Sequence, residues 1–74
     1  FMIYPNPAGD FINLKSNSAI DRYLIYDIKG SLILEGTNNN SNDLTISLKN
    51  IYSGIYFVQI KSGAYKETVK FIKK

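Results

Sequence analysis

Apolar and polar residues alternate in short blocks along this chain, most sharply where Leu44, Ile46 and Leu48 are separated by Thr45 and Ser47. A period of two turns one face to a core and the other to water, which is the pattern of a β-strand. Tyr56, Val58 and Ile60 make a second such face. On the reverse of that stretch Ile55 and Phe57 are apolar too, which predicts a central strand covered on both sides over its first half. From Arg22 to Ile28 two inward sets stay open, Tyr23 with Ile25 or Leu24 with Tyr26 and Ile28. Nowhere does a helical apolar period persist over the length that a helix needs.

Blocks rich in β-branched and aromatic residues, divided by turn formers, predict seven strands: Phe1 to Tyr4, Phe11 to Lys15, Arg22 to Ile28, Ser31 to Glu35, Leu44 to Leu48, Gly54 to Lys61 and Ala64 to Lys73. Lys29-Gly30 and Ser62-Gly63 read as tight hairpin turns, because glycine takes positive φ without steric cost. Each predicts antiparallel neighbours. Gly36 to Asp43 reads as a polar loop whose side chains bond their own backbone and tolerate left-handed conformations. The fold class is all-β, a small immunoglobulin-like antiparallel β-sandwich of about seven short strands. A partly open barrel of the oligonucleotide-binding type is the competing architecture.

Tyr4-Pro5-Asn6-Pro7-Ala8-Gly9-Asp10 interrupts this alternation near the start. The two prolines deny amide donors to a neighbouring strand and hold the backbone extended, so the segment suits a sheet edge and not a sheet centre. A stiff, edge-blocking lead-in is the plainer account of Pro5 and Pro7, and a docking epitope is the functional one.

At 74 residues the chain is expected to form a single domain over 1–74, too small for a deep catalytic cleft. Its strand-like opening on Phe1 fits a fragment of a longer precursor. Cysteine and histidine are both absent, which removes disulfides, thiolate chemistry, the usual general base near neutral pH and the commonest metal ligands. The six acidic residues are scattered singly, so no carboxylate pair shares a strand face as glycoside chemistry requires, and Asn38 to Asp43 lacks the spacing of a calcium loop. Neither an enzyme, a metal site nor any cofactor is expected. Apolar runs stop at four residues, far short of the ~20 that span a bilayer as a helix.

Nine basic residues against six acidic give a net charge of +3, with Lys61, Lys66, Lys70, Lys73 and Lys74 gathered at the C-terminal end. Nucleic-acid binding by base stacking needs aromatics and cations on one face, whereas here the lysines gather while the tyrosines are dispersed. A basic edge strand has two possible duties. Its lysines guard against edge-to-edge aggregation, and they steer the domain toward an acidic receptor that adds a strand of its own. Open edges also offer a route to a homodimer.

Three separated patches carry a resemblance. Tyr4-Pro5-Asn6-Pro7-Ala8-Gly9-Asp10 with Phe11 to Leu14 resembles the YPNPA-x-D opening of the C-terminal sorting domains of Bacteroidetes proteins exported by the type IX, or Por, secretion system. Tyr26 to Ile33 is similar to that family's strand, Asp, turn-Gly and strand pattern, although Ser31 and Leu34 stand where a basic or polar residue is more usual after the glycine. Ile46 to Ile60 resembles its Leu-x-x-Gly-x-Tyr-x-Val segment, and Thr68 to Lys74 its lysine-bearing last strand. The resemblance implies a signal that does no chemistry, follows a cargo domain, and is recognised by the type IX translocon and by outer-membrane shuttle and sortase components. It implies passage through the periplasm to the cell surface or the medium, and removal by a sortase-like peptidase cutting on the N-terminal side.

Pro5, Asn6, Pro7, Gly54, Tyr56, Lys70, Lys73 and Lys74 are the candidates for recognition by the translocon. Gly54 and Tyr56 have a structural reading beside the functional one, the glycine supplying a conformation or close approach and the tyrosine packing inward with its hydroxyl bonded to a nearby turn. The rival function is an accessory carbohydrate-binding or adhesive sandwich retained on a secreted protein, with the six tyrosines as stacking rings.

Overall fold

Strand pairing decides the shape of this chain. A computed structural model describes every residue from Phe1 to Lys74 and contains five strands: β1 (Met2–Tyr4), β2 (Phe11–Asp27), β3 (Leu32–Ser47), β4 (Gly54–Ser62) and β5 (Tyr65–Lys73). All pair antiparallel, and β2 is the hub. Along one side it pairs with β3; along the other its first half pairs with β1 and its second half with β4, which in turn pairs with β5. The result is one continuous sheet curled into two layers. β1 and the Phe11 to Lys15 and Leu44 to Ser47 stretches make one layer, and the outer halves of the β2/β3 hairpin with β4 and β5 make the other.

The expected seven strands are therefore five, because two pairs of them are continuous. Phe11 to Lys15 runs on into Arg22 to Asp27, and Leu32 to Glu35 runs on through the supposed polar loop into Leu44 to Ser47. The register breaks between Lys15 and Ile20 and again before Arg22, with Ile20 against Ser41 as the one pair held between the breaks. Bulges of this kind bend a strand without ending it. Side chains take over where the ladder is interrupted: Asn38 Nδ2 donates to the Ser41 and Asp43 carbonyls at 3.2 Å each, and Ser41 Oγ accepts the Asp43 amide at 3.1 Å. Asn40 adopts a φ of +54°, the left-handed conformation expected of this stretch.

Both hairpin turns form. Asp27 accepts the Gly30 amide on its carbonyl at 3.0 Å and the Lys29 and Ser31 amides on Oδ1 at 2.9 Å each, while Gly30 takes a φ of +88°. Gly63, at a φ of +64°, opens the two-residue turn between Ser62 and Tyr65.

Ile12, Leu14, Ile46 and Leu48 from one layer meet Ile25, Tyr56, Val58, Ile60 and Phe71 from the other, with Ala8 and Ile20 completing the core. The parity of β2 is thereby settled in favour of Tyr23 and Ile25. Leu24 faces the other way, buried between Glu35 and Gln59 of its neighbours. β4 is central, as its composition implies, but its outer face is not covered. Ile55 is exposed and Phe57 half-buried there, because no third layer exists.

Gly36 pairs with Tyr23, and a Cβ at Gly36 would lie 2.6 Å from the Tyr23 hydroxyl oxygen and 2.7 Å from two ring carbons. Gly36→Ala must displace a half-buried ring that packs on the core, at a cost of about 1–3 kcal/mol. Urea denaturation should register that loss, and the penalty should shrink in a Tyr23→Ala background.

Candidate functional site

The first signature segment and the last strand lie side by side. Ala8 pairs in parallel with Lys73: its amide donates to the Ile72 carbonyl at 2.7 Å and its carbonyl accepts the Lys74 amide at 2.8 Å. Asn6 adds its side chain, Oδ1 accepting the Ile72 amide at 3.0 Å. Both outward backbone groups of Ile72 are thus occupied, and the chain is clasped where β5 ends. Ala8 is fully buried in the core, so its methyl anchors the segment while its backbone pairs.

The bonds that cover this edge come from Asn6 and Ala8 and not from Pro5 and Pro7, and the extended course expected of the prolines needs correction. The stretch from Pro5 to Pro7 bends and does not run extended, and both prolyl bonds are cis. It has to bend, since it leaves β1 in one layer and reaches β5 in the other.

On the far side of β5, Gly54 pairs with Lys73. Pro5, Asn6, Pro7, Gly54, Lys73 and Lys74 therefore meet at one corner of the sheet. Lys70 stands further along β5, exposed on the outer face opposite Phe57. Tyr56 lies beneath the corner, with its hydroxyl donating to the Tyr52 carbonyl at 2.7 Å and its ring stacked on Phe71 at 5.8 Å between centroids. Its structural reading holds. For Gly54 close approach is not the reason, as an added Cβ would meet the Tyr56 ring at 3.8 Å, an ordinary contact.

Residues 2–74 match the family described as the secretion system C-terminal sorting domain, that of the type IX system. This chain belongs to that family. No curated protein and no solved structure matches it. Sorting domains are signals and not an enzyme family; this one marks a protein for export to the cell surface or the extracellular space by the type IX machinery.

Four of the six acidic side chains of the sorting domain are committed to local structure. Asp27 holds its hairpin turn, Asp21 Oδ2 accepts the Gly63 amide at 2.7 Å, and Glu35 pairs with Arg22 at 2.5 Å. Glu67 Oε1 accepts the Tyr65 hydroxyl at 2.7 Å. That bond holds the Glu67 carboxyl below the usual glutamate range, against a partial desolvation that opposes it. The same bond, and the Glu67 charge, raise the Tyr65 phenol. With its folded value depressed, Glu67 stabilises above its unfolded pKa and ceases to as pH falls through the folded one. Carboxyl NMR titration should place Glu67 low, and Tyr65→Phe should move it back up.

The largest hollow, about 560 Å³ beside Phe1, Met2, Lys15, Ser16, Asn17 and Asn42, holds one cation and no carboxylate to work with it. Three potential metal-ligating side chains come together nowhere. Ala8 is the residue that sequence reasoning passed over. Its one signal was a small apolar residue fixed between Pro7 and Gly9.

Proposed function

We propose that this sorting domain is a removable address at the C-terminus of a longer secreted precursor, read by the type IX translocon during transit through the periplasm. Outer-membrane shuttle and sortase components then act on it, and a sortase-like peptidase cuts N-terminal to β1. The observation that carries this reading is the family match over residues 2–74, joined to a fold in which the signature segment and the lysine-bearing terminus form one corner. Pro5, Asn6, Pro7, Lys70, Lys73 and Lys74 present the contact surface, while Gly54 and Tyr56 support it from behind. The cut falls before the folded body, a reading supported by the pairing of Met2–Tyr4 and the half-burial of Ile3, since an extended linker is more accessible to a peptidase than a paired strand.

The test is a fusion of residues 1–74 to a fluorescent protein carrying an export leader, expressed in a host with this secretion system. Fluorescence should reach the surface or the medium, and mass spectrometry of the mature product should find the sorting domain gone. Retention in the periplasm would overturn the proposal. A mature product that keeps the domain would favour the retained adhesive module instead.

A further inference from the structure

The clasp at Ile72 leaves the rest of the β5 edge uncovered. β5 pairs with β4 over nine consecutive residues without a register shift, and Ile72 directs both backbone groups away from β4 toward Asn6 and Ala8. Backbone direction alternates along a strand, so Lys66, Thr68 and Lys70 also point theirs outward. No hydrogen bond from elsewhere in the chain meets them, and all three residues are exposed. The other edges are poorer templates. β1 has three residues and runs into Pro5, and β3 is broken by register shifts against β2.

Charge distinguishes this edge further. Arg22, Lys61 and Lys66 stand in one row across β2, β4 and β5 on the outer face, with Lys70 on that same face of β5. Only Arg22 has an acidic partner, Glu35. Lys61 directly opposite Lys66 is a repulsive cross-strand pair, and nothing within the chain relieves it. An acid on a strand added beside β5 would.

We propose that the β5 edge from Lys66 to Lys70 receives an extended acidic segment of a partner protein as an additional strand, with acidic side chains four residues apart standing opposite Lys66 and Lys70. The residues between them on the inward face are apolar. They meet the flank where Val69 and Phe1 are half-buried and the Phe1 nitrogen lies 3.4 Å from Glu67. A second copy of this chain is the wrong occupant. Antiparallel self-pairing centred on Thr68 would set Lys66 of each copy against Lys70 of the other, two like-charge pairs. The inference deepens the sorting reading by naming the chemistry of a receptor, but the binding is testable without export.

The probe is a synthetic peptide, Thr-Val-Glu-Val-Thr-Val-Glu-Val-Thr, added to the purified 74-residue chain and followed by amide hydrogen exchange and NMR shifts. The Lys66, Thr68 and Lys70 amides should slow on binding. A version with lysine in place of glutamate should bind about tenfold or more weakly. Lys66→Glu with Lys70→Glu should reverse that preference, a result that loss of folding cannot imitate. Thr68→Pro should abolish binding while leaving the fold intact, since its amide is unused by β4. Equal affinity for the acidic and basic peptides would overturn the proposal. So would protection along Leu32 to Thr37 in place of β5, or a concentration-dependent dimer that protects the same three amides without peptide. Peptide binding as described in a domain that fails to export its fusion would leave the edge proposal standing and sink the sorting role.

Discussion

Phe71→Ala should leave the domain unfolded, or nearly so, at room temperature. The Phe71 ring is 1% exposed, stacks on Tyr56, and joins the β4 and β5 pairing to the core below the clasped corner. Truncating a fully buried phenylalanine costs about 3–5 kcal/mol through lost transfer energy and the cavity left behind. A domain of this size without disulfides or metal has about that much stability in total. Far-UV circular dichroism and urea titration measure the loss. Ile72→Ser, one residue on but pointing outward, should change the midpoint far less. A Phe71→Ala chain that still melts cooperatively within about 1 kcal/mol of the parent would contradict the packing described for this strand.

The second large effect separates two adjacent residues. Ile25 is fully buried at the contact between layers, whereas Tyr26 lies half-buried on the open outer face. Ile25→Ala should cost about 2–5 kcal/mol and Tyr26→Ala about 1 kcal/mol or less. Guanidinium or urea unfolding of the two variants in parallel decides it. The reverse order would mean that β2 faces the other way, and with it the whole outer layer.

That parity could not be extracted from the residues. From Arg22 to Ile28 both alternate sets are apolar, so a period of two selects neither; the choice is made by the bulge after Ile20, which has no simple sequence signature. Where the polar set was clean, as in Leu44 to Leu48, the inward face was legible without coordinates, and Tyr56, Val58 and Ile60 were legible as an inward set although Phe57 between them suggested a second covered face. The hairpin turns were legible for the same local reason, since Gly30 and Gly63 both adopt positive φ. Continuity was not. Asn, Ser and Thr between Gly36 and Asp43 look like a loop because their side chains compete for backbone bonds, and they do so here, but within a bent strand whose partner bends with it.

For the candidate site the balance was different. Tyr56 packing inward with its hydroxyl satisfied follows from alternation and from the need of a buried phenol for an acceptor. That Asn6 and Ala8 would meet Ile72 and Lys74 does not follow from anything local, because the contact spans the full chain. The family resemblance placed both patches in order along the sequence and was silent on their adjacency.

The clasp has a consequence for how the protein is made. Asn6 and Ala8 are synthesised before β2 and every later strand of the domain, yet their partners are Ile72 and Lys74, and the intervening hub strand needs β4 before its second half is paired. A chain broken off short, by premature termination or by proteolytic trimming of its last few residues, cannot close this corner however well the remainder folds. The joined corner therefore doubles as a certificate that the whole domain has been translated, so that any reader gripping it inspects both of the domain's flanks in a single act.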